Sequence, residues 1–493
     1  MSFVKPLPPF RRGSLPPFPG WFAALGPGII WLALAQGSGE LIWWPYIVAK
    51  YGLAFVFLLI PACLLQFPLN YAIGSYTLLT GETIFQGFIR LNRWVGMILW
   101  VLMTVSFLWF GAFASAGGTA LAALTHFPAG WDERGQTLFW AYSSMAVFFI
   151  ALVLSHVVYS VVERVMWIVA IVTVVGLVVA CSHPTVFAQA PAFLRGLVIP
   201  HWPPPRPWDP ADATKLLTAI TFAGLGGFWT LFYSYWLREK GVGMARHMGH
   251  IEGLAGLPAS RRSLPAPRSS GQAGRSEVAF DTGVVPDHSS DSLKDLGCWR
   301  RFLVVDSAVG IVGNIVTTLM TCLLAYAVLF PHGILPEKYD IAVVQARFFE
   351  LSWGGVGRVL FLLVAAAFLA DTWMATADAV ARIHTDVVLC VFPRARRWPI
   401  RRWYLVFLVL LTAITAITMG LAEPGPLILL SALIGFLGTV SFSVLLYLLN
   451  HRYLPTVIPR AACPQALAAV GLLIAGAAYS LLALAYLWVR FSD

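Results

Sequence analysis

The chain is 493 residues long, 59% hydrophobic and only 11% charged, where a soluble globular protein averages about 25% charge. That composition excludes an ordinary soluble protein, and the long continuous apolar runs exclude a porin-type barrel, whose strands are about ten residues of alternating polarity. The net charge of +10 does not describe a nucleic-acid partner, because the basic residues fall between apolar runs and not along one polar face.

In chain order, the runs predict an all-α polytopic membrane protein with eleven spans, at about 21–50, 53–80, 94–122, 138–158, 162–181, 214–237, 302–330, 355–391, 402–421, 425–449 and 466–490. The lipid bilayer is therefore a partner by construction. The N-terminal tail, 1–20, carries Lys5, Arg11 and Arg12 but no short apolar region with a small-residue cleavage site, so the first span is expected to stay in the mature protein. With that tail inside, 23 basic residues fall on the inner side and 9 on the outer. The bias predicts a plasma (inner) membrane protein with its N-terminus cytoplasmic and its C-terminus outside. Two stretches do not belong to the bilayer. Segment 182–213, with its His201-Trp-Pro-Pro-Pro-Arg-Pro run, is expected as an extended external linker. Segment 243–297, rich in Ser, Gly, Pro and charge of both signs, is expected as a flexible cytoplasmic loop. The six cysteines are scattered without metal-ligand spacing and read as core or loop residues.

Glycine interrupts two spans at corresponding places. The first reads Gln36-Gly37-Ser38-Gly39-Glu40, and the sixth reads Ala223-Gly224-Leu225-Gly226-Gly227-Phe228-Trp229. Glycines also allow close helix packing, but two mid-span interruptions five spans apart fit secondary transporters built from two inverted five-helix repeats. In those, the first helix of each repeat is unwound near the midplane so that backbone can meet substrate or ions. Segment 21–181 is then the first repeat and 214–449 the second, with 450–493 supplying the eleventh helix and C-terminus.

Charged residues inside spans are functional candidates by default, since one costs at least about 2.5–3.5 kcal/mol on insertion scales. Glu40 sits at the first break, followed by Ile42, Trp43 and Trp44, and implies a cation, a proton or a basic partner; capping a half-helix is the plainer alternative. Asp371, Asp378 and Arg382 fall within about 20° of one face of the eighth span. Asp378 and Arg382 are four apart and are expected to pair, which leaves Asp371 as the freer acid. Glu163 and Arg164, at the turn between spans four and five, are expected as a gate or a surface pair. Gln66 and Asn70 are expected as amides bonded to neighbouring helices, and Trp43 or Trp44 with Trp229 as a wall beside Glu40. No HExxH, Ser-His-Asp or nucleotide-binding pattern appears, so neither enzyme chemistry nor a cofactor is expected.

Leu25-Gly-Pro-Gly-Ile-Ile, Ala49-Lys-Tyr-Gly, Thr80-Gly-Glu, and Tyr159 with Glu163-Arg164-Val165 resemble the natural resistance-associated macrophage protein (Nramp) family of divalent-metal transporters. The resemblance implies a LeuT-type fold with broken helices 1 and 6. At the metal site this chain departs from the family. The Asp-Pro-Gly-Asn of the first span is Gly37-Ser38-Gly39-Glu40 here, the Ala-x-x-Met of the sixth is Ala223-Gly-Leu-Gly226, the histidines that follow fall on Phe228 and Tyr233, and the third span has no acid.

Loss of the thioether removes the soft ligand that separates manganese or iron from calcium and magnesium, and two glycines widen the site. Magnesium, which keeps several waters and takes one or two carboxylates, suits what remains. The sequence thus points to a secondary transporter of a divalent cation, hydrated magnesium or manganese, as in Nramp-related magnesium transporters. Glu40 is the metal ligand in that reading, and Gln36, Gly37, Ser38, Gly39, Ala223, Gly226, Gly227, Trp229 and Asp371 line the substrate site. An organic cation, amine or amino acid on the same fold is the alternative, because Glu40 beside tryptophans suits such a ligand. A non-transporting receptor working through the cytoplasmic loop is a third reading.

Overall fold

The computed structural model describes residues 7–35, 41–155, 158–248, 283–287, 293–335, 344, 346–421 and 423–491. Among them, ten runs of helix are long and apolar enough to cross a membrane, from Val56–Thr80 to Ala466–Val489, and they coincide with expected spans two to eleven. The protein is an integral membrane protein. The first expected span is present as two shorter helices, α1 (Pro27–Ala35) and α2 (Leu41–Tyr51), on either side of 36–40.

The remaining helices that matter for the site are α3 (Gln66–Thr80), α4 (Ile84–Leu91), α5 (Arg93–Phe107), α6 (Gly111–Thr125), α7 (Glu133–Leu154) and α8 (Val158–Cys181) in the first half. The second half holds α9 (Ala213–Phe222), α10 (Phe232–Lys240), α11 (Leu296–Leu324), α12 (Arg347–Val391), α13 (Ile400–Met419), α14 (Pro424–Tyr447) and α15 (Ala466–Phe491). Every residue of α1 is buried, as a helix apolar on all sides must be when other helices enclose it.

The packing repeats. Helix α1 lies against α8 and α11, that is, against spans five and seven. Helix α9 lies against α14 and the Leu59–Leu64 turn, that is, against spans ten and two. Exchanging each span with the one five places away maps one set of contacts onto the other. The closest approach is at Gly28, where any Cβ would meet the backbone carbonyl of Asp306 on α11, so only glycine lets α1 seat there.

Two expectations about connecting segments are corrected. The linker 182–213 is not extended throughout. Pro184 opens a helical turn, Pro184–Phe187, and a second helix, Ala190–Gly196, has proline in its first turn, where the missing N–H costs nothing. The loop 243–297 is likewise ordered at its edges. Gly243–His247 forms a 3-10 turn with Gly243, Met244 and Ala245 buried. Val284–Pro286 (β2) pairs in parallel with Arg11–Gly13 (β1) of the N-terminal tail. Residues 249–282 and 288–292 lie outside the described residues.

Candidate functional site

The sixth span is broken where the glycines are. Helix α9 ends at Phe222; Gly224 and Leu225 then take φ of 65° and 60°, Gly226 is extended, and Gly227 (φ 69°) starts a 3-10 turn that runs into α10. Glycine meets this geometry without penalty, whereas Leu225 is strained, which marks the turn as imposed by its surroundings. In a membrane the freed backbone must be satisfied by protein. Asn314 Oδ1 accepts from Gly224 N–H at 2.9 Å, Thr439 Oγ1 accepts from Gly227 N–H at 3.1 Å, and Thr230 Oγ1 donates to the Leu225 carbonyl at 3.0 Å. Helices α11 and α14 thus hold the break open.

The described neighbours of the break are mostly apolar. Trp229 meets the edges of Phe107, Phe113 and Phe222 at centroid distances of 4.6, 5.9 and 5.1 Å, and its indole N–H donates to Thr376 Oγ1 on α12 at 3.2 Å. These contacts make Trp229 a packing post between the break and α12. Trp43 pairs with Tyr46 at 6.0 Å. Glu40, beside which Trp43 or Trp44 with Trp229 is expected as a wall, lies outside the described residues. Gln66 bridges helices, donating to Tyr479 at 2.5 Å and accepting from Thr230 at 3.1 Å. Asn70, one turn further along α3, does not: it is fully buried, and neither amide atom has a hydrogen-bond partner among the described residues. Gln36, Gly37, Ser38, Gly39 and Glu40 lie outside the described residues.

Helix α12 carries the expected acids. Arg382 Nε sits 2.9 Å from both Asp378 oxygens, and Tyr404 donates to Asp378 at 2.8 Å. Arg382 Nη1 also lies 2.5 Å from Glu239 on α10, an ion pair by distance that is off the N–H direction. Seven residues away, about 10.5 Å along the helix, Asp371 is fully buried and has no side-chain partner among the described residues; the backbone N–H of Thr372 approaches its carboxylate.

The broken spans are tied at both ends. At one end Asp212, buried at the start of α9, receives Lys50 at 2.5 Å, Lys215 at 2.9 Å, Tyr51 at 2.7 Å and Tyr46 at 3.2 Å, with Asp209 a further 3.3 Å from Lys50. At the other end Tyr233 of α10 donates to Asp306 at 2.8 Å, and Asp306 abuts the backbone of Gly26 and Gly28 where α1 begins. Glu163 pairs with Lys240 at 2.6 Å, not with Arg164, which is exposed. Asp386 gathers Gln86 at 2.8 Å and Tyr235 at 3.1 Å, together with Thr83. Next to that group, Arg90 is clamped by Glu82 at 2.6 and 2.7 Å. Burial alone would lower the Arg90 pKa, but the bonds and attraction from Glu82 hold it above the ordinary guanidinium value.

Asp212, Glu239, Asp306 and Asp386 were missed by sequence reasoning. Asp306 and Asp386 stand inside the drawn spans 302–330 and 355–391, so the rule that picked out Asp371 reaches them too. Asp212 sits two residues before a drawn span, and nothing in its neighbourhood separates it from a linker acid. Among the described residues no three of His, Cys, Asp and Glu gather to hold a metal ion.

No family model matches the chain. An 87-residue stretch is 37% identical to an uncharacterized protein of Pasteurella multocida, 17% of this chain and 20% of that protein. The match thus spans about a fifth of the length of this curated relative. Among solved structures, the Eremococcus coleocola manganese transporter in complex with an aromatic bis-isothiourea compound superposes with a TM-score of 0.62 at 16% identity, over 99% of this chain and 91% of that one. MhsT in complex with L-phenylalanine gives 0.55 at 14%, over 94% and 98%. Mhp1, a nucleobase-cation-symport-1 family transporter, gives 0.51 at 12%, over 99% and 96%. These likenesses establish the fold: the LeuT-type arrangement of two inverted five-helix repeats with broken first and sixth helices, as the contacts of α1 and α9 describe it.

Proposed function

We propose that the protein is a secondary transporter that moves a small cation by alternating access around the breaks of spans one and six. The observation that carries this reading is Asp371: a carboxylate buried in the middle of a membrane helix, with no side-chain partner among the described residues, is a place for a positive charge. Helix α12 packs against α1 and α6 and reaches the sixth-span break through Thr376 and Trp229, so its acid belongs to the same layer as that break.

The substrate favoured is a divalent cation that keeps part of its water, magnesium or manganese, as in the Nramp-related magnesium transporters. Gly226, Phe228 and Tyr233 stand where a soft thioether and imidazoles hold metal in the family that the motifs resemble, which suits one or two hard carboxylates, Glu40 and Asp371, acting through retained water. The second reading, an organic cation, amine or amino acid, draws support from Trp43 and Trp44, whose buried indole N–H groups have no acceptor.

Uptake into proteoliposomes tests both. Magnesium and manganese flux is expected to saturate, to ignore a pH gradient, and to fall at least about tenfold in Glu40→Gln and in Asp371→Asn. Metal flux untouched by either substitution overturns the site. No flux for any metal, with saturable uptake of an amine or amino acid, moves the substrate to the second reading.

A further inference from the structure

The turn joining α12 to α13 holds a cavity of about 450 Å³, none of whose lining residues belongs to the site described above. Val388, Phe392, Trp398 and Trp403 form an apolar wall, and Arg394 and Arg397 stand at its edge. Phe392 and Trp398 are about half exposed, at 47% and 49%, so the wall is open to the outside of the protein. It is also rigid. Trp403 donates to the Ala395 carbonyl at 2.8 Å, its ring lies 5.1 Å from Trp398 and 5.8 Å from Phe407, and Arg396 closes the end of α12 by donating to the Leu389 carbonyl at 2.9 Å.

The charge around this wall is of one sign. Arg394, Arg396, Arg397, Arg401 and Arg402 fall within nine residues, and no Asp or Glu occurs from 387 to 422. Arg394, Arg397, Arg401 and Arg402 make no ion pair among the described residues. Because α12 ends at Val391 and α13 begins at Ile400, the cavity lies within a turn of two spanning helices, at headgroup depth.

We propose that this cavity binds an anionic phospholipid, its phosphate on Arg394 and Arg397 and the upper part of an acyl chain along Phe392, Trp398 and Trp403. Guanidinium groups pair with phosphate oxygens through parallel N–H bonds, and basic pockets between spans recognise acidic headgroups. A free phosphate ion uses the arginines but leaves the aromatic wall bare, whereas a lipid uses both.

Thermal unfolding of the purified full-length protein in detergent, titrated with phosphatidylglycerol, phosphatidylcholine or inorganic phosphate, tests this. Phosphatidylglycerol is expected to raise the unfolding temperature saturably, with little response to phosphatidylcholine or phosphate. In Arg394→Gln/Arg397→Gln the midpoint of that response is expected to move about twentyfold or more to higher lipid. Trp398→Ala, which leaves every charge in place, is expected to weaken it as well and serves if the double variant does not fold. An equal response to phosphatidylcholine, a full response to phosphate alone, or an unchanged midpoint in both variants overturns the proposal.

Discussion

The two ends of the broken spans are closed by different means. At one end a single buried acid gathers the contacts. Asp212 takes hydrogen bonds from two lysines and two tyrosines, and through them α9 is fastened to α2. At the other end the work is spread over five acids on four helices: Asp306 toward α1, Glu163 toward Lys240, Glu239 and Asp378 around Arg382, and Asp386 toward the start of α4. The acids of both closures face cations or hydroxyl groups, although Arg382 Nη1 and Nη2 and Asp306 Oδ1 make no hydrogen bond among the described residues. Between them lie Asn70 and Asp371, which are buried and have no side-chain partner at all among the described residues. Groups that face a partner hold a conformation, whereas buried polar groups that face none await one, so the layer between the closures is where a cargo is to be sought.

The comparison breaks most visibly at Arg382. Arg382→Met removes the one cation shared by Asp378 and Glu239 and leaves two acids in a buried site. The expected cost is about 3–5 kcal/mol, seen as a large drop in unfolding temperature or as failure to fold in detergent. A loss below about 1 kcal/mol would mean that this closure is redundant around Arg382. Asp212→Asn probes the closure at the opposite end. Its lysines are partly exposed and can turn to water, so about 2 kcal/mol is expected. The same substitution should raise the labelling of Lys50 and Lys215 by an impermeant amine reagent, because only Asp212 draws both inward. Unchanged labelling would show that the tyrosines close this end without the acid.

Much of this was legible beforehand, for reasons that differ by residue. The breaks were, since glycine is the residue that leaves a helix cheaply and the two runs are five spans apart. The Asp378 and Arg382 contact follows from four-residue spacing alone. Partners from other helices were not, because nothing local says that Arg382 also reaches Glu239, or that Glu163 reaches Lys240 across 77 positions of chain in preference to its neighbour Arg164. Asp212 lay outside every apolar run, so its burial depends on the packing of α9 against α2, which hydropathy does not encode.

The smallest expected effect on stability is the most informative for function. Asn70 and Gln66 are one turn apart on α3, both amides, both fully buried, yet Gln66 is bonded at each end and Asn70 at neither. Gln66→Leu strands Tyr479, while Thr230 keeps the Leu225 carbonyl, and is expected to cost about 1–3 kcal/mol. Asn70→Leu, the same in branching and in number of heavy atoms, strands nothing and is expected to leave stability within about 1 kcal/mol of the parent where its two methyl groups fit. A buried amide retained without benefit to stability has a use elsewhere, and in the layer that also holds Asp371 that use is contact with the cargo or its water. Uptake by Asn70→Leu should therefore fall while its stability holds, the reverse of the pattern at Arg382. If uptake and stability both stay at the parent level, Asn70 lies outside the path, and Asp371 alone carries the described half of the site.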